Sequence, residues 1–238
     1  MIDIHKTDME LEIERDEIDL DCGQVDIEKL GINPAHITKD GRGLRLKDCT
    51  DQQIVRELLR RIGDDPDRPG LLETPHRVVK SWRELYSGYS KTKKDVAAIF
   101  EKKFESKNSE MVVVGPISVF SNCEHHMLPI TGTAFIGYIP DKYTIGISKL
   151  GRIVEVFARR LQIQEQLTTQ IVDAISEHVK PLGAGCVMIA EHQCMTSRGI
   201  KNIGSKTRTS TLYGNFRDSQ IVRQEFLSLI NNKTMTVS

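Results

Sequence analysis

The stretch Phe120-Ser121-Asn122-Cys123-Glu124-His125-His126-Met127-Leu128-Pro129 decides how the rest of the chain is read. Before it, Met111 to Phe120 is rich in β-branched residues, and after it Gly132 to Pro140 alternates through Thr-Ala-Phe-Ile-Gly-Tyr-Ile. Two β runs joined by a short polar segment predict neighbouring antiparallel strands with Cys123, His125 and His126 at their junction. Cys123 and His126 are three residues apart, which puts them on opposite faces of an extended chain. They can share a ligand only if the backbone turns between them, and Pro129 fits a strand that has already ended.

A second cluster lies in Gly185-Cys186-Val187-Met188-Ile189-Ala190-Glu191-His192-Gln193-Cys194-Met195. Read as one strand, this run places His192 and Cys194 on the same face. Thiolate sulfur and imidazole nitrogen are the donors that zinc takes, and the two clusters together offer up to five of them. A catalytic zinc takes three protein ligands and keeps a position for water. Cys123, His126 and Cys194 as ligands would leave His125 and His192 to handle protons. The remaining cysteines and histidines, among them Cys186 within the apolar alternation, read as ordinary buried or hydrogen-bonded residues.

Outward from these clusters, Ser148 reads as the cap of a helix with Leu150, Ile153, Val154, Val156 and Phe157 on its apolar face. A second helix is expected from about Glu165 to Val179, then strands over Gly185 to Met195 and Lys206 to Phe216, and a last helix over Asp218 to Ile230. The order β-β-α-α-β-β predicts an α+β fold, an antiparallel sheet with a helix pair on one face. Its open edges favour association with other copies.

Residues 51–108 form a helical region: Ile54, Leu58, Leu59 and Ile62 lie at helical spacing, and Thr74-Pro75 opens a second helix. Residues 1–50 read as an acidic, loosely attached arm, and 109–238 as the catalytic domain. The 238 residues carry 33 basic and 33 acidic side chains, so no global field selects nucleic acid or an anionic membrane. Five cysteines, an amino terminus without a signal-peptide pattern and no long apolar run point to a cytoplasmic protein that uses thiols for metal rather than disulfides.

Any anion site must therefore be local. Ser148-Lys149-Leu150-Gly151-Arg152 puts two cations in the first turn of a helix, where the dipole disfavours them unless an anion is bound. Arg198, a few residues beyond Cys194, is a further cation within reach of such an anion. Solvated basic side chains are the plain alternative. Glu165 either helps the helix dipole or accepts two N–H bonds from a guanine edge.

With these residues in hand, the chain resembles GTP cyclohydrolase I from about Asp51 to its carboxyl terminus. The match runs through Asp67-Arg68-Pro69-Gly70-Leu71-Leu72-Glu73-Thr74-Pro75, Cys123-Glu124-His125-His126, Ile147-Ser148-Lys149-Leu150, Arg160-Leu161-Gln162-Ile163-Gln164-Glu165, His192-Gln193-Cys194-Met195 and Ser205-Lys206-Thr207. The resemblance implies the tunnelling fold, assembled as a homodecamer of two pentamers with active sites between subunits. By position it makes Cys123, His126 and Cys194 the Zn2+ ligands and His125 and His192 the acid–base pair. Ser148, Lys149, Arg152 and Arg198 become contacts to the triphosphate of GTP, and Glu165 with Gln164 holds the guanine edge. The implied reaction opens the guanine imidazole ring at C8 with a zinc-bound water, releases formate, and closes the rearranged product to 7,8-dihydroneopterin triphosphate, a first step of pterin and folate-type biosynthesis. A zinc-stabilised module that binds a purine without opening it is the competing expectation. Nucleic-acid binding is disfavoured by charge and aromatic content.

Overall fold

In the computed structural model, residues 49–231 are described, so most of the acidic arm lies outside the described residues. The first elements are α1 (Asp51–Arg61) and α2 (Thr74–Leu85). Thr50 and Gln53 cap α1 reciprocally, each side chain bonding the other residue's backbone N–H. Pro75 occupies the first turn of α2, where its missing N–H costs nothing. A short 3₁₀ helix, Ser87–Ser90, follows. Its Gly88 packs so closely on the carbonyls of Val156 and Arg159 that a Cβ would sit 2.3 Å from the former. Then come α3 (Lys93–Ile99) and β1 (Lys103–Glu105).

The central sheet begins with β2 (Val112–Cys123) and β3 (Pro129–Ile139), an antiparallel pair in register from Val112 opposite Tyr138 to Asn122 opposite Pro129. The expected hairpin is present, although both strands reach further than expected: Cys123 closes β2, and Pro129 opens β3 rather than following an ended strand. After β4 (Tyr143–Ile145), which pairs with β1, the chain forms α4 (Ser148–Ala158), β5 (Leu161–Gln162) and α5 (Gln164–Val179). It continues through β6 (Gly183–His192), α6 (Gln193–Thr196), β7 (Thr207–Gly214), α7 (Asn215–Asp218) and α8 (Gln220–Asn231). The sheet order is β5-β2-β3-β6-β7, antiparallel except for a two-residue parallel contact between β5 and β2.

The β-β-α-α-β-β unit is therefore present, with α4 and α5 on one face. Val119, Ala134, Ile136, Tyr138, Ala184, Cys186 and Met188 of the strands bury against Leu150, Ile153, Val154, Leu167, Ile171 and Ile175 of those helices. The opposite face is not bare. Phe216 and Phe226, edge-to-face at 4.9 Å, pack with Ile139 beneath one end of the sheet. They fit because Gly137 and Gly185, paired across β3 and β6, leave the space a side chain would fill. Two boundaries also differ from expectation. Phe216 lies in α7 rather than in a strand, and the last helix is divided at Ser219. No helix among the described residues is long and apolar enough to cross a membrane.

Candidate active site and metal centre

The junction between β2 and β3 is a tight turn. The N–H of Met127 donates to the carbonyl of Cys123, and the N–H of Cys123 to that of Leu128, both at 2.8 Å. The chain reverses through Glu124, His125 and His126, and Met127, left-handed with φ 53°, ends the turn just past His126 and leads into β3. Two neighbours hold this turn in place: Asn122 Nδ2 donates to the carbonyl of Met127, and the N–H of Glu124 to that of Gln162 in β5. As a result the Sγ of buried Cys123 lies 3.8 Å from Nδ1 of both His125 and His126.

The second cluster arrives differently from expectation. Strand β6 stops at His192, and Cys194 sits in the single helical turn α6, so the two do not share a strand face. The helical turn is closed by Ser197, whose N–H and Oγ both reach the carbonyl of Gln193. That turn swings Cys194 toward the end of β2. One ligand atom each from Cys123, His126 and Cys194 lies within 4.8 Å of the other two. Among the described residues, no other group of three or more His, Cys, Asp or Glu atoms meets so closely, and His125 does not join this one.

Two thiols and an imidazole suit a borderline-soft divalent metal. Tetrahedral zinc holding such donors at its usual bond lengths would set them roughly 3.5–3.8 Å apart, and Cys123 Sγ and His126 Nδ1 stand at 3.8 Å. The site also gains from a cation: burial first, then the neighbouring Cys123, pushes the Cys194 thiol up, whereas Arg198 pulls it down. A bound metal removes that cost by taking both sulfurs as thiolates. A tetrahedral metal held by these three residues would keep a fourth position for water.

Around the cluster, His125 is mostly exposed beside Glu124, 3.9 Å from its carboxylate. His192 is half-buried; burial pushes its imidazole down while the charge of Glu165 opposes that shift. Glu165 itself is exposed in the first turn of α5. Gln164 lies behind His192. It is 1% exposed, its Oε1 is 2.7 Å from His192 Nε2, and its Nε2 donates to the carbonyls of Met188 and Thr207 and to Thr209 Oγ1. Its side chain is thus bonded inside the protein, behind His192, while Glu165 beside it is exposed. Nothing in the sequence marks this role, because a glutamine in a first helical turn is commonplace.

The cationic group lies elsewhere. Tyr138, opposite Val112 at the start of β2, hydrogen-bonds Thr144 and Ile145, just before Ser148. Helix α4 then runs back along β2, lining a cleft with Ile117 and Phe120, and delivers the chain to β5 beside Cys123. Eleven residues of helix span roughly 16 Å. Within one chain, Ser148 and Lys149 therefore stand at the far end of the sheet from Cys123, with Arg152 one turn further along. Ser148 is the first residue of α4 and makes no capping bond; Ile147 occupies the cap position, so the expected serine cap is absent. Arg198, just beyond α6, is at the cluster end.

The sequence model of GTP cyclohydrolase I matches residues 51–231. The chain belongs to the GTP cyclohydrolase I family. GTP cyclohydrolase 1 of Caldanaerobacter subterraneus subsp. tengcongensis is 50% identical over 183 residues, covering 76% of this chain and 96% of its own length. Its counterpart in Campylobacter lari is 49% identical over 181 residues, covering 76% and 94%. That of Thermoanaerobacter pseudethanolicus is 49% identical over 183 residues, covering 76% and 96%. The part that aligns to the GTP cyclohydrolase I model begins at α1 and ends with α8, so it contains both clusters and the amino-terminal helices.

Proposed function

We propose that this chain catalyses the GTP cyclohydrolase I reaction: hydrolytic opening of the guanine imidazole ring of GTP, release of C8 as formate, and ring closure to 7,8-dihydroneopterin triphosphate. The observation that carries the reading is the convergence of Cys123, His126 and Cys194 beside two histidines outside that set, in a chain of this family. Cys123, His126 and Cys194 hold zinc, which when bound supplies Lewis acidity that activates water near neutral pH. His192 gives a proton to N7 of guanine as the ring opens, and its partial burial suits a group that works between neutral and charged forms. The exposed His125 assists proton movement at the same ring.

Binding holds the two ends of the nucleotide. Glu165 accepts two N–H bonds from the guanine edge, and Lys149, Arg152 and Arg198, with Ser148, neutralise the triphosphate. Fixing both ends holds the purine ring at the cluster, which is the proximity contribution. The separation of Ser148 and Lys149 from Cys123 within one chain supports a site completed by a second copy, as in a decamer of two pentamers. The open edge of β7 and the nearly unpaired outer edge of β2 are surfaces on which sheets of neighbouring copies can join.

The test supplies GTP to zinc-loaded protein and measures formate together with the fluorescence of the oxidised pterin. Both are expected. GTP binding without either product, in protein shown to carry metal, would favour the non-catalytic binding module.

A further inference from the structure

The side chain of Gln164 is held by four partners, and their chemistry fixes which way it points. Carbonyl oxygens only accept, and two of them, on Met188 and Thr207, lie 3.2 Å from one end of the carboxamide; that end must be the NH₂ group. Thr209 Oγ1 at 3.1 Å serves the same end. The other end is therefore Oε1, an acceptor with no proton to give. It lies 2.7 Å from His192 Nε2, so Nε2 must be the donor.

We propose that Gln164 is a positioning residue that fixes His192 in its Nε2–H tautomer, leaving Nδ1 as the one ring nitrogen able to take or give the working proton. The inference rests on the reading that His192 handles a proton in GTP opening. The anchors come from parts of the chain far apart in sequence, β6 and β7, so the amide cannot rotate without breaking bonds to both strands. An imidazole held this way cannot present Nε2 to the substrate while the bond to Gln164 persists. Proton traffic between His192 and guanine N7 then passes through Nδ1, and the ring is aimed before substrate arrives. Partners of this kind fix tautomer and orientation in other acid–base histidines, where losing the correct tautomer is worth up to about 10⁴ in turnover.

Two variants separate positioning from packing. Gln164→Met keeps the length but removes acceptor and donor. Gln164→Glu keeps an acceptor for Nε2–H, and in its neutral acid form can still donate to a strand carbonyl. Gln164→Met is expected to lower kcat about 10²-fold with the KM for GTP and the zinc content nearly unchanged, and Gln164→Glu to recover a substantial part of the loss. Magic-angle-spinning NMR of the wild-type protein labelled with ¹⁵N-histidine, with His192 assigned by difference from His192→Asn, reads the tautomer directly at pH 8. The expected signature is a protonated Nε2 and a bare Nδ1. A wild-type His192 protonated at Nδ1 instead overturns the proposal, whether or not the variants fold. So does an unchanged kcat in Gln164→Met, or a Gln164→Glu no better than Gln164→Met. Absence of formate from the wild-type enzyme would sink the functional reading while leaving the tautomer assignment to be judged on its spectrum.

Discussion

His126 Nδ1 lies 3.8 Å from the Sγ of Cys123, three residues upstream, because the chain turns between them with the N–H groups of His126 and Met127 both on the Cys123 carbonyl. His125 Nδ1 is equally close to the same sulfur, yet it does not meet Cys194. Two adjacent histidines at one distance from one thiol are thus told apart by the position of Cys194, which enters from α6.

Substitution of these two histidines separates the roles. Losing an outer-shell partner already costs a metal site about 10–100-fold in affinity, so removing a ligand outright should cost at least that. His126→Ala is expected to purify with little zinc and to release no formate, while its far-ultraviolet circular dichroism stays that of the parent, because the main core lies along β2, β3 and β6 away from the cluster. His125→Ala should keep its zinc and lose turnover by about 10²–10⁴. Metal analysis and formate assays on both variants check this; equal zinc loss in the two would undo the assignment.

Thiol reactivity offers a second check without mutation. Cys186 is fully buried between β3 and β7, and burial pushes its thiol up to about 12, so at pH 8 it holds almost no thiolate. Native, metal-loaded protein should resist iodoacetamide at Cys123, Cys186 and Cys194. Chelation is expected to expose Cys194, and Cys123 more slowly because it is buried, while Cys186 stays unlabelled until the protein unfolds. Peptide mapping by mass spectrometry after timed alkylation reads each site separately.

The strand pair, the helix pair and the turn between Cys123 and His126 were legible because each rests on a local rule: alternation, helical spacing, and the need for a reversal between two ligands three residues apart. What was not legible depended on partners distant in sequence. His192 and Cys194 read as one strand face because period two assumes that the strand continues, and nothing in Gln193-Cys194-Met195-Thr196 signals a helical turn. Nothing in the alternation marks Gly137 and Gly185, although their missing side chains make room for Phe216 and Phe226. The far position of Ser148 was hidden for the same reason: Lys149 and Arg152 suggest an anion contact in sequence, but only the course of α4 along β2 shows that a single chain keeps them from Cys123 and Cys194.

Tyr138 connects the core to the segment that carries the proposed anion contacts. It is fully buried, its hydroxyl is 2.7 Å from Thr144 Oγ1, and it accepts the N–H of Ile145 at 3.2 Å. Tyr138→Phe leaves that buried N–H without its acceptor, at a cost of about 1–3 kcal/mol. Thermal melting should fall by roughly 2–4 °C for each kcal/mol lost. Because Ile145 precedes Ser148 by only three residues, the KM for GTP is expected to rise while zinc content holds. A lowered melting point with an unaltered KM would mean that β4 does not help to place the anion site.

The arrangement of α4 leads to the strictest test, because it concerns which chain supplies which half of a site. Lys149→Ala damages only the anion half and His192→Ala only the cluster half, so either variant alone should turn over very slowly. If one chain supplied both halves, mixing the variants could recover nothing, since every chain would carry one defect. If neighbouring copies supply them, a site pairing the intact cluster of a Lys149→Ala chain with the intact cations of a His192→Ala chain is whole. Random co-assembly of equal amounts then makes about a quarter of all sites whole, by the statistics of a closed symmetric oligomer. Co-expression of the two variants with different affinity tags, purification through both tags, and a formate assay are expected to give near that share of wild-type turnover. Activity no higher than the better single variant, in oligomers shown to carry both tags, would place the two halves within one chain's reach and require α4 to move.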